Sequence, residues 1–267
     1  MSGLEPAQLL LLAAAALVAG AVNAVAGGGS LLSFPALLAV GYPALTANVT
    51  NSVALTPGYL GGTVGYRREL AGQRPRILAL GVTSAIGAVV GAFLLLISSP
   101  ALFERIVPWL IFLACGLLAA QPRLARLVRE LRGDPDGRAE PAGRAGLDGH
   151  TAALLAAQFL AAAYGAYFGA GVGIMMLAIL GIFVADTLQR LNALKGLLSL
   201  LVAVIAAVAF ALFADVRWVA VAVMAVASLV GGQLGVVLAR RLNDQVLRWL
   251  VIAFGVAVGL RLLVAAG

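Results

Sequence analysis

The sequence has few charged residues and a single cysteine, lysine and histidine. Only 11% of its 267 residues are charged, whereas a soluble domain carries about 25%. This shortfall excludes a chain whose whole surface faces water. Cys115 has no second cysteine with which to form an intrachain disulfide, and no spacing of histidine and cysteine predicts a metal site. We therefore expect no metal ion and no other cofactor.

Acidic side chains are missing from the interior of the apolar segments. All eleven Asp and Glu residues lie near segment ends, in loops or in a polar stretch at mid-chain, where His150 also lies. A cation transporter or a carboxylate-driven proton pump normally needs such a group inside the membrane. Their absence favours an anionic substrate and argues against acid–base catalysis, so the protein is predicted not to be an enzyme.

What the chain has instead is long apolar runs. Hydrophobic residues make up 63% of the sequence, and the mean hydropathy is +1.06. Many runs are about long enough to cross ~30 Å of hydrocarbon. Ten hydrophobic segments are predicted, at 7–27, 29–41, 44–66, 76–98, 101–120, 151–171, 173–185, 188–213, 216–239 and 245–264. The predicted fold class is an all-α integral membrane protein.

The two halves of the chain match at a constant offset of 144 residues. The matched pairs include Gly27 with Gly171, Gly29 with Gly173, Asn48 with Asn192, Ser84 with Ser228, and Gly91 with Gly235. Five segments per half is an odd number, so the second copy is predicted to be inverted in the membrane. The predicted organisation is a first transmembrane repeat at 1–120, a cytoplasmic linker at 121–150 and a second repeat at 151–267.

The arginine distribution predicts the orientation. The net charge of +7 comes mainly from Arg in short gaps between apolar runs, which is typical of cytoplasmic loops and not a sign of nucleic-acid binding. If all ten segments cross and 121–150 is inside, only Arg105, Arg217 and Arg261 are outside, a 14 to 3 split. If segments 2 and 7 do not cross, the split is 12 to 5. We therefore expect ten crossings of a bacterial inner membrane, with both termini outside.

Segments 2 and 7 are short, and each follows a glycine cluster. At about 13 residues each would span ~20 Å as a helix, which is less than a bilayer. The clusters are Gly27, Gly28 and Gly29 in the first half, and Gly169, Gly171 and Gly173 in the second. Glycines at this density unwind a helix, and the free N–H groups at the start of the next helix suit an anion. The alternative is simple close packing of helices.

Segments 3 and 8 carry most of the polar side chains in the apolar part of the chain. Asn48 and Asn51 lie one turn apart, as do Asn192 and Lys195. Such groups are costly in a membrane and should face a partner or a cavity, so inversion is expected to bring the two clusters toward each other. Lys195 would suit an oxyanion, or would extend to the inner surface. Weaker candidates are Asn23, Gln158, Tyr164, Tyr167 and Gln233.

These motifs resemble the signature of the TauE/SafE sulfite exporter family, also called the toluene-sulfonate uptake permease family. The resemblance rests on GAVNAVAGGG at 20–29, Pro35 and ANVTNS at 47–52, and a looser match runs from Gly169 to Asn192. It covers 7–264 apart from the linker, and it implies a carrier of sulfite, thiosulfate or an organosulfonate. The resemblance maps the family's motifs onto Gly27, Gly28, Gly29 and Pro35, and onto Asn48, Thr50, Asn51 and Ser52.

The sequence as a whole predicts a secondary transporter, either an exporter or a permease, that works by alternating access. The substrate is expected near the midplane, held by Asn48, Asn51, Asn192 and Lys195 and by N–H groups after the glycine breaks. The expected partners are a small anion and the lipid bilayer, and no nucleic acid is expected. The sequence does not decide whether a second copy of the chain is a partner. An anion channel and a scaffold protein that does not transport are the alternatives.

Overall fold

The computed structural model describes residues 4–25, 27–131, 151–184, 186–238 and 244–266, which form ten α-helices and no β-strand. The helices are α1 Pro6–Val25, α2 Ser30–Ala39, α3 Ala44–Gly65, α4 Arg74–Ile97, α5 Pro100–Leu131, α6 Thr151–Tyr167, α7 Val172–Phe183, α8 Leu188–Phe213, α9 Trp218–Leu238 and α10 Asp244–Ala266. The all-α prediction is confirmed. The first part of the predicted linker belongs to α5, and the part from 132 to 150 lies outside the described residues.

Five of the helices are long and apolar enough to cross a membrane. These spans are Pro6–Ala24, Arg74–Ile97, Pro100–Ala120, Gln189–Phe213 and Trp218–Gly235. By contrast, α2 and α7 have 10 and 12 residues, or ~15–18 Å as helices, so they are short as predicted. Large apolar side chains such as Leu78 and Phe213 are exposed on the outside of the bundle. The protein is therefore a multi-pass membrane protein whose outer surface suits lipid.

The two halves interlock rather than pack as separate bundles. Contacts between them occur in pairs that are related by a shift of five helices. The pairs are α1 on α9 with α6 on α4, α3 on α9 with α8 on α4, and α5 on α7 with α10 on α2. Such paired helix contacts are expected when two copies of one helical unit pack about a pseudo-two-fold axis.

The direction of α1 and α3 shows how the chain uses its short helices. Leu17 and Ala21 on α1 lie against Gly231 and Gly235 on α9, so α1 and α9 run parallel. The helix α3 also runs parallel to α9, because Ser228 bonds to the Ala54 carbonyl whereas the later Gly58 lies against the later Gly232. Since α1 and α3 point the same way, the chain returns between them, and α2 lies in the returning segment.

The central pair α3 and α8 crosses in the antiparallel direction. Thr56 Oγ1 donates to the Ala203 carbonyl at 3.4 Å. Seven residues further along α3, Thr63 Oγ1 faces Gly196, which comes earlier in α8. An inverted repeat requires this relation between segments 3 and 8. The inverted orientation of the complete halves in a membrane stays a prediction.

One end of the bundle is held by an ion cluster around Asp186, which lies between α7 and α8. Arg76 of α4 binds its carboxylate, and Arg190 Nε lies 2.9 Å from Oδ1. Burial alone would raise the pKa of Asp186, but hydrogen bonds from Arg190, the Thr187 N–H and Arg76 outweigh it and hold that pKa below its usual value. The cluster ties the start of α4 to the start of α8.

The same end carries Arg67, Arg68 and Arg74, and we call it the arginine-rich end. Arg190 also donates to the Ala71 carbonyl at 3.1 Å, so the 66–73 loop is part of this end. The opposite end contains the 214–217 loop, where Arg217 pairs with Asp215 and lies over the Tyr42 ring. Which of these two ends faces the cytoplasm stays a prediction.

Glycines set the distance between α4 and α6. A Cβ on Gly91 would run into the Ala163 carbonyl oxygen. We expect Gly91→Ala to lower stability by about 1–3 kcal/mol because the backbones must separate. Gly116→Ala is the matched control, since nothing lies within 4 Å of its Cβ position. Thermal melts in detergent measure both variants, and equal midpoints would contradict this packing.

Removal of the carboxylate of Asp186 tests the ion cluster. Asp186→Asn should cost about 3 kcal/mol, because the Arg76 guanidinium is only 4% exposed and loses this charged partner. Asp215→Asn, which breaks a more exposed pair, should cost at most about 1 kcal/mol.

The pH dependence follows from the lowered pKa of Asp186. Its contribution is complete above the unfolded pKa of about 4 and is lost only as the pH falls through the lower folded value. The stability gap between wild type and Asp186→Asn should therefore be constant from about pH 6 to 8 in chemical unfolding experiments. A gap that shrinks over this range would show that another group dominates.

Candidate functional site

The two glycine breaks meet inside the bundle. The chain leaves α1 at Val25 and enters α2 at Ser30, and it leaves α6 at Tyr167 and enters α7 at Val172. Gly27, Gly169 and Gly171 have φ of +84°, +81° and +77°, a region that glycine adopts without steric cost. A Cβ on Gly27 would lie 2.9 Å from the Gly173 Cα. The interruption of one half thus touches the interruption of the other, and neither position has room for a larger residue.

Side chains of the preceding helices hold the unwound backbone. Asn23 Oδ1 accepts from the Gly29 N–H at 2.7 Å, and the Tyr164 hydroxyl donates to the Ala170 carbonyl at 2.7 Å. Backbone groups away from water must find partners within the protein. Asn23 and Tyr164, which are weaker ligand candidates, therefore each have a structural role in supporting a break.

A cavity lies beside the contact between the breaks, between α1, α3 and α8. It has about 390 Å³ of empty space, part of which is open to the surroundings. Its lining residues are Asn23, Ala24, Gly27, Gly58, Tyr59, Thr63, Tyr66, Gly173, Asn192, Lys195, Gly196 and Ser199. No described lining residue is acidic, so the sign of the charge in this cavity is set by Lys195.

Lys195 is buried inside the bundle, and none of the described acidic residues forms an ion pair with it. The residue is 5% exposed, and its Cδ and Cε lie 3.7 Å from the Cβ position of Gly173. No hydrogen bond or ion pair joins its ammonium group to the described part of the chain. This geometry does not match a lysine that extends along the surface, and an uncompensated buried cation favours a bound anion.

The other polar groups of the cavity complement that charge. Asn192 Oδ1 has no hydrogen-bond partner among the described residues, and its amide is free to turn its NH₂ group toward a ligand. Thr63 and Ser199 donate only to the Tyr59 carbonyl and to Met176 Sδ. A ligand with several acceptor oxygens would find one charged and several neutral donors here.

Asn48 and Asn51 lie away from this cavity, although we expected the polar clusters of segments 3 and 8 to approach each other. Asn48 Nδ2 donates to the Tyr167 carbonyl at 2.9 Å. Asn51 comes 12 residues before Thr63 in α3, which is ~18 Å along a helix. The reason is the antiparallel crossing, in which the end of α3 meets the start of α8. The early residues of the two helices therefore lie toward opposite ends of the bundle.

The remaining predicted site residues make contacts outside the cavity. Thr50 accepts from the Arg217 N–H, and Ser52 donates to the Asn48 carbonyl. Gln158 donates to Ser84, and the Tyr167 hydroxyl bonds to Ser98. Gly28 packs against Leu118, Gly171 packs near Ala114, and Gln233 is exposed. These contacts are local or between helices, and a substrate role for these residues stays a prediction. Of the predicted set, Asn23, Gly27, Gly173, Asn192 and Lys195 come together around one space.

Sequence reasoning missed Tyr59, Thr63, Tyr66 and Ser199 as cavity residues. A signal for them is present in the spacing. Tyr59, Thr63 and Tyr66 are four and three residues apart, and Ser199 is four residues after Lys195, so each set shares a helix face. A polar face on an otherwise apolar segment points to a cavity or a partner.

The protein is a helical membrane protein in which broken helices and a charged site lie between two halves, an arrangement that is typical of secondary transporters. The family described as Sulfite exporter TauE/SafE matches residues 12–262 of the chain. The chain therefore belongs to this family, and the resemblance seen in its motifs is confirmed.

Curated relatives agree with this class. A probable membrane transporter protein of Haemophilus influenzae is 27% identical over 85% of this chain and 83% of its own length. Probable membrane transporter protein ORF9 of a Sinorhizobium species is 30% identical over 48% of this chain and 49% of its own. The Escherichia coli K12 protein YfcA, also a probable membrane transporter protein, is 29% identical over 48% of each chain. The chain thus spans about half the length of the last two relatives. No solved structure matches it.

Proposed function

We propose that this protein is a secondary transporter of a small sulfur-containing anion and that Lys195 provides the charge that binds it. The observation that carries the proposal is a buried ammonium group beside a cavity whose described lining contains no carboxylate. Burial of one charge without compensation is costly, and an anionic ligand offsets this cost. A lysine ammonium with three donors suits an oxyanion, which accepts from several directions.

The substrate class follows from the family and from the donors. Sulfite, thiosulfate and organosulfonates are small anions with several acceptor oxygens, and family membership supports this class. Around Lys195 the cavity adds the Asn192 amide and the hydroxyl groups of Tyr59 and Tyr66. A single fixed positive charge neutralises a monoanion, whereas a dianion would keep one uncompensated negative charge in a buried site, which is costly. We therefore expect a sulfonate or hydrogensulfite to bind more tightly than sulfate.

Alternating access is the proposed mechanism. Tyr66 follows the last residue of α3 and lines the cavity, and Arg67 and Arg68 come directly after it, so the cavity extends toward the arginine-rich end. We propose that this end faces the cytoplasm of a bacterial inner membrane, with the linker inside and both termini outside. The halves, inverted relative to each other, would then rock about the contact between Gly27 and Gly173 to open the opposite end.

A charge-removal variant tests this function most simply. In proteoliposomes, Lys195→Ala should lose nearly all saturable flux of sulfite or a sulfonate, because the charge that binds the anion is absent. Lys195→Arg keeps the charge but changes its shape, so it should retain weaker binding. Flux and binding to purified protein are measured over sulfite, thiosulfate, sulfoacetate, taurine and sulfate.

Three results would overturn the proposal. Unchanged flux in Lys195→Ala at equal incorporation would remove Lys195 from the site. Flux in the wild type that does not saturate and shows no counterflow would indicate a channel in place of a carrier. A wild type that binds none of the anions and shows no flux would contradict a transport function for this class of substrate.

A further inference from the structure

Internal symmetry places an asparagine where the other half has its lysine. The offset of 144 residues superimposes Asn51 on Lys195 and Asn48 on Asn192. Lys195 of the second half and Asn23 of the first half line the same cavity beside the break after α1. At the related position, Asn48 of the first half contacts Tyr167, the last residue of α6 in the second half, beside the break after α6. The polar pair on the third helix of each half therefore lies against the end of the first helix of the other half.

The asparagine pair has acceptor oxygens without donors. Asn48 and Asn51 are 0% and 1% exposed, and the Oδ1 atoms of both lack a hydrogen-bond partner in the described part of the chain. The orientation of Asn48 is fixed because its Nδ2 donates to the Tyr167 carbonyl at 2.9 Å. A buried acceptor that lacks a donor is unfavourable, and here two occur one helical turn apart. Such a pair would be stabilised by a bound cation or by an ordered hydrogen-bond donor.

The C-terminal end of α6 favours a positive charge at this position. A helix carries partial negative charge at its C-terminal end, and α6 ends at Tyr167, next to Asn48. Arg217 reaches Thr50 only through its backbone N–H, while its guanidinium pairs with Asp215 at 2.8 Å. Unwound backbone and half-helix C-terminal ends are groups that coordinate Na⁺ in membrane transporters.

We propose that Na⁺ binds between α3 and the end of α6, coordinated by Asn48 Oδ1, Asn51 Oδ1 and backbone carbonyl groups at the end of α6. The mobile cation would occupy the place in this half that the tethered ammonium of Lys195 occupies in the other. All these ligands are neutral oxygens, so the affinity should be modest. The site goes beyond anion binding and would supply a coupling ion for it.

A thermal-stability titration tests the site without a substrate anion. Purified protein is melted at constant chloride concentration while choline is replaced by Na⁺. The melting temperature should rise and saturate with Na⁺, as expected for a ligand that binds only the folded state. Equal melting temperatures in Na⁺ and choline would overturn the proposal. That result would not contradict the proposed anion binding at Lys195. Conversely, a protein that binds no anion would still be expected to show the Na⁺ response.

Two substitutions of Asn51 locate the cation. Asn51→Asp should lower the Na⁺ concentration at half-saturation by about tenfold, because a carboxylate attracts the cation where a neutral amide only donates lone pairs. Asn51→Lys should make the melting temperature independent of Na⁺, since it places an ammonium group in the same position as in the other half. Asn192→Ala, at the symmetry-related position of Asn48, is the control and should keep the wild-type response.

The outcomes that contradict this location are specific. An unchanged midpoint in Asn51→Asp, or a Na⁺ response that survives in Asn51→Lys, would place the cation elsewhere. Loss of the response in Asn192→Ala would assign it to the cavity of Lys195. If Asn51→Lys does not fold, the wild-type titration and Asn51→Asp decide between these results.

Discussion

The contact between Gly27 and Gly173 is the constraint on which the rest of the architecture depends. Two interrupted helices expose backbone polar groups at membrane depth, and these are tolerated only inside protein or beside a wet cavity. The glycines let the two breaks touch, and Asn23 and Tyr164 bind the freed backbone. This leaves room beside the contact for a cavity that includes Lys195. The site is therefore a consequence of how the halves meet.

The two halves share one pattern of helix packing, whereas their polar residues differ. Matching helix pairs show that both copies pack in the same way, yet one has a lysine where the other has Asn51. A fixed positive charge suits an anion, whereas two amide oxygens without donors suit a cation. If both proposals hold, a pseudo-symmetric frame carries two unlike sites. Binding at one site would then be linked to binding at the other through the contact between the two glycine breaks.

Much of this fold was predictable because its strongest signals are local. Apolar length gave ten segments close to the ten helices, and glycine density gave both breaks. The position of each polar residue along the bundle could not be predicted, because it depends on how α3 and α8 cross. Asn48 and Lys195 both come early in their helices, and only the antiparallel packing assigns them to opposite regions. Tyr59 and Thr63 were missed because a polar helix face is weak evidence until a neighbouring helix encloses it.

The central claim is that an anion binds to Lys195 where the two glycine breaks meet. A cryo-electron microscopy map of the protein with a bound sulfonate tests this most directly. The account predicts ligand density within hydrogen-bonding distance of Lys195 Nζ, beside Gly27 and Gly173 and between antiparallel α3 and α8. A map in which Lys195 points into lipid, or in which the ligand lies away from both breaks, would contradict it.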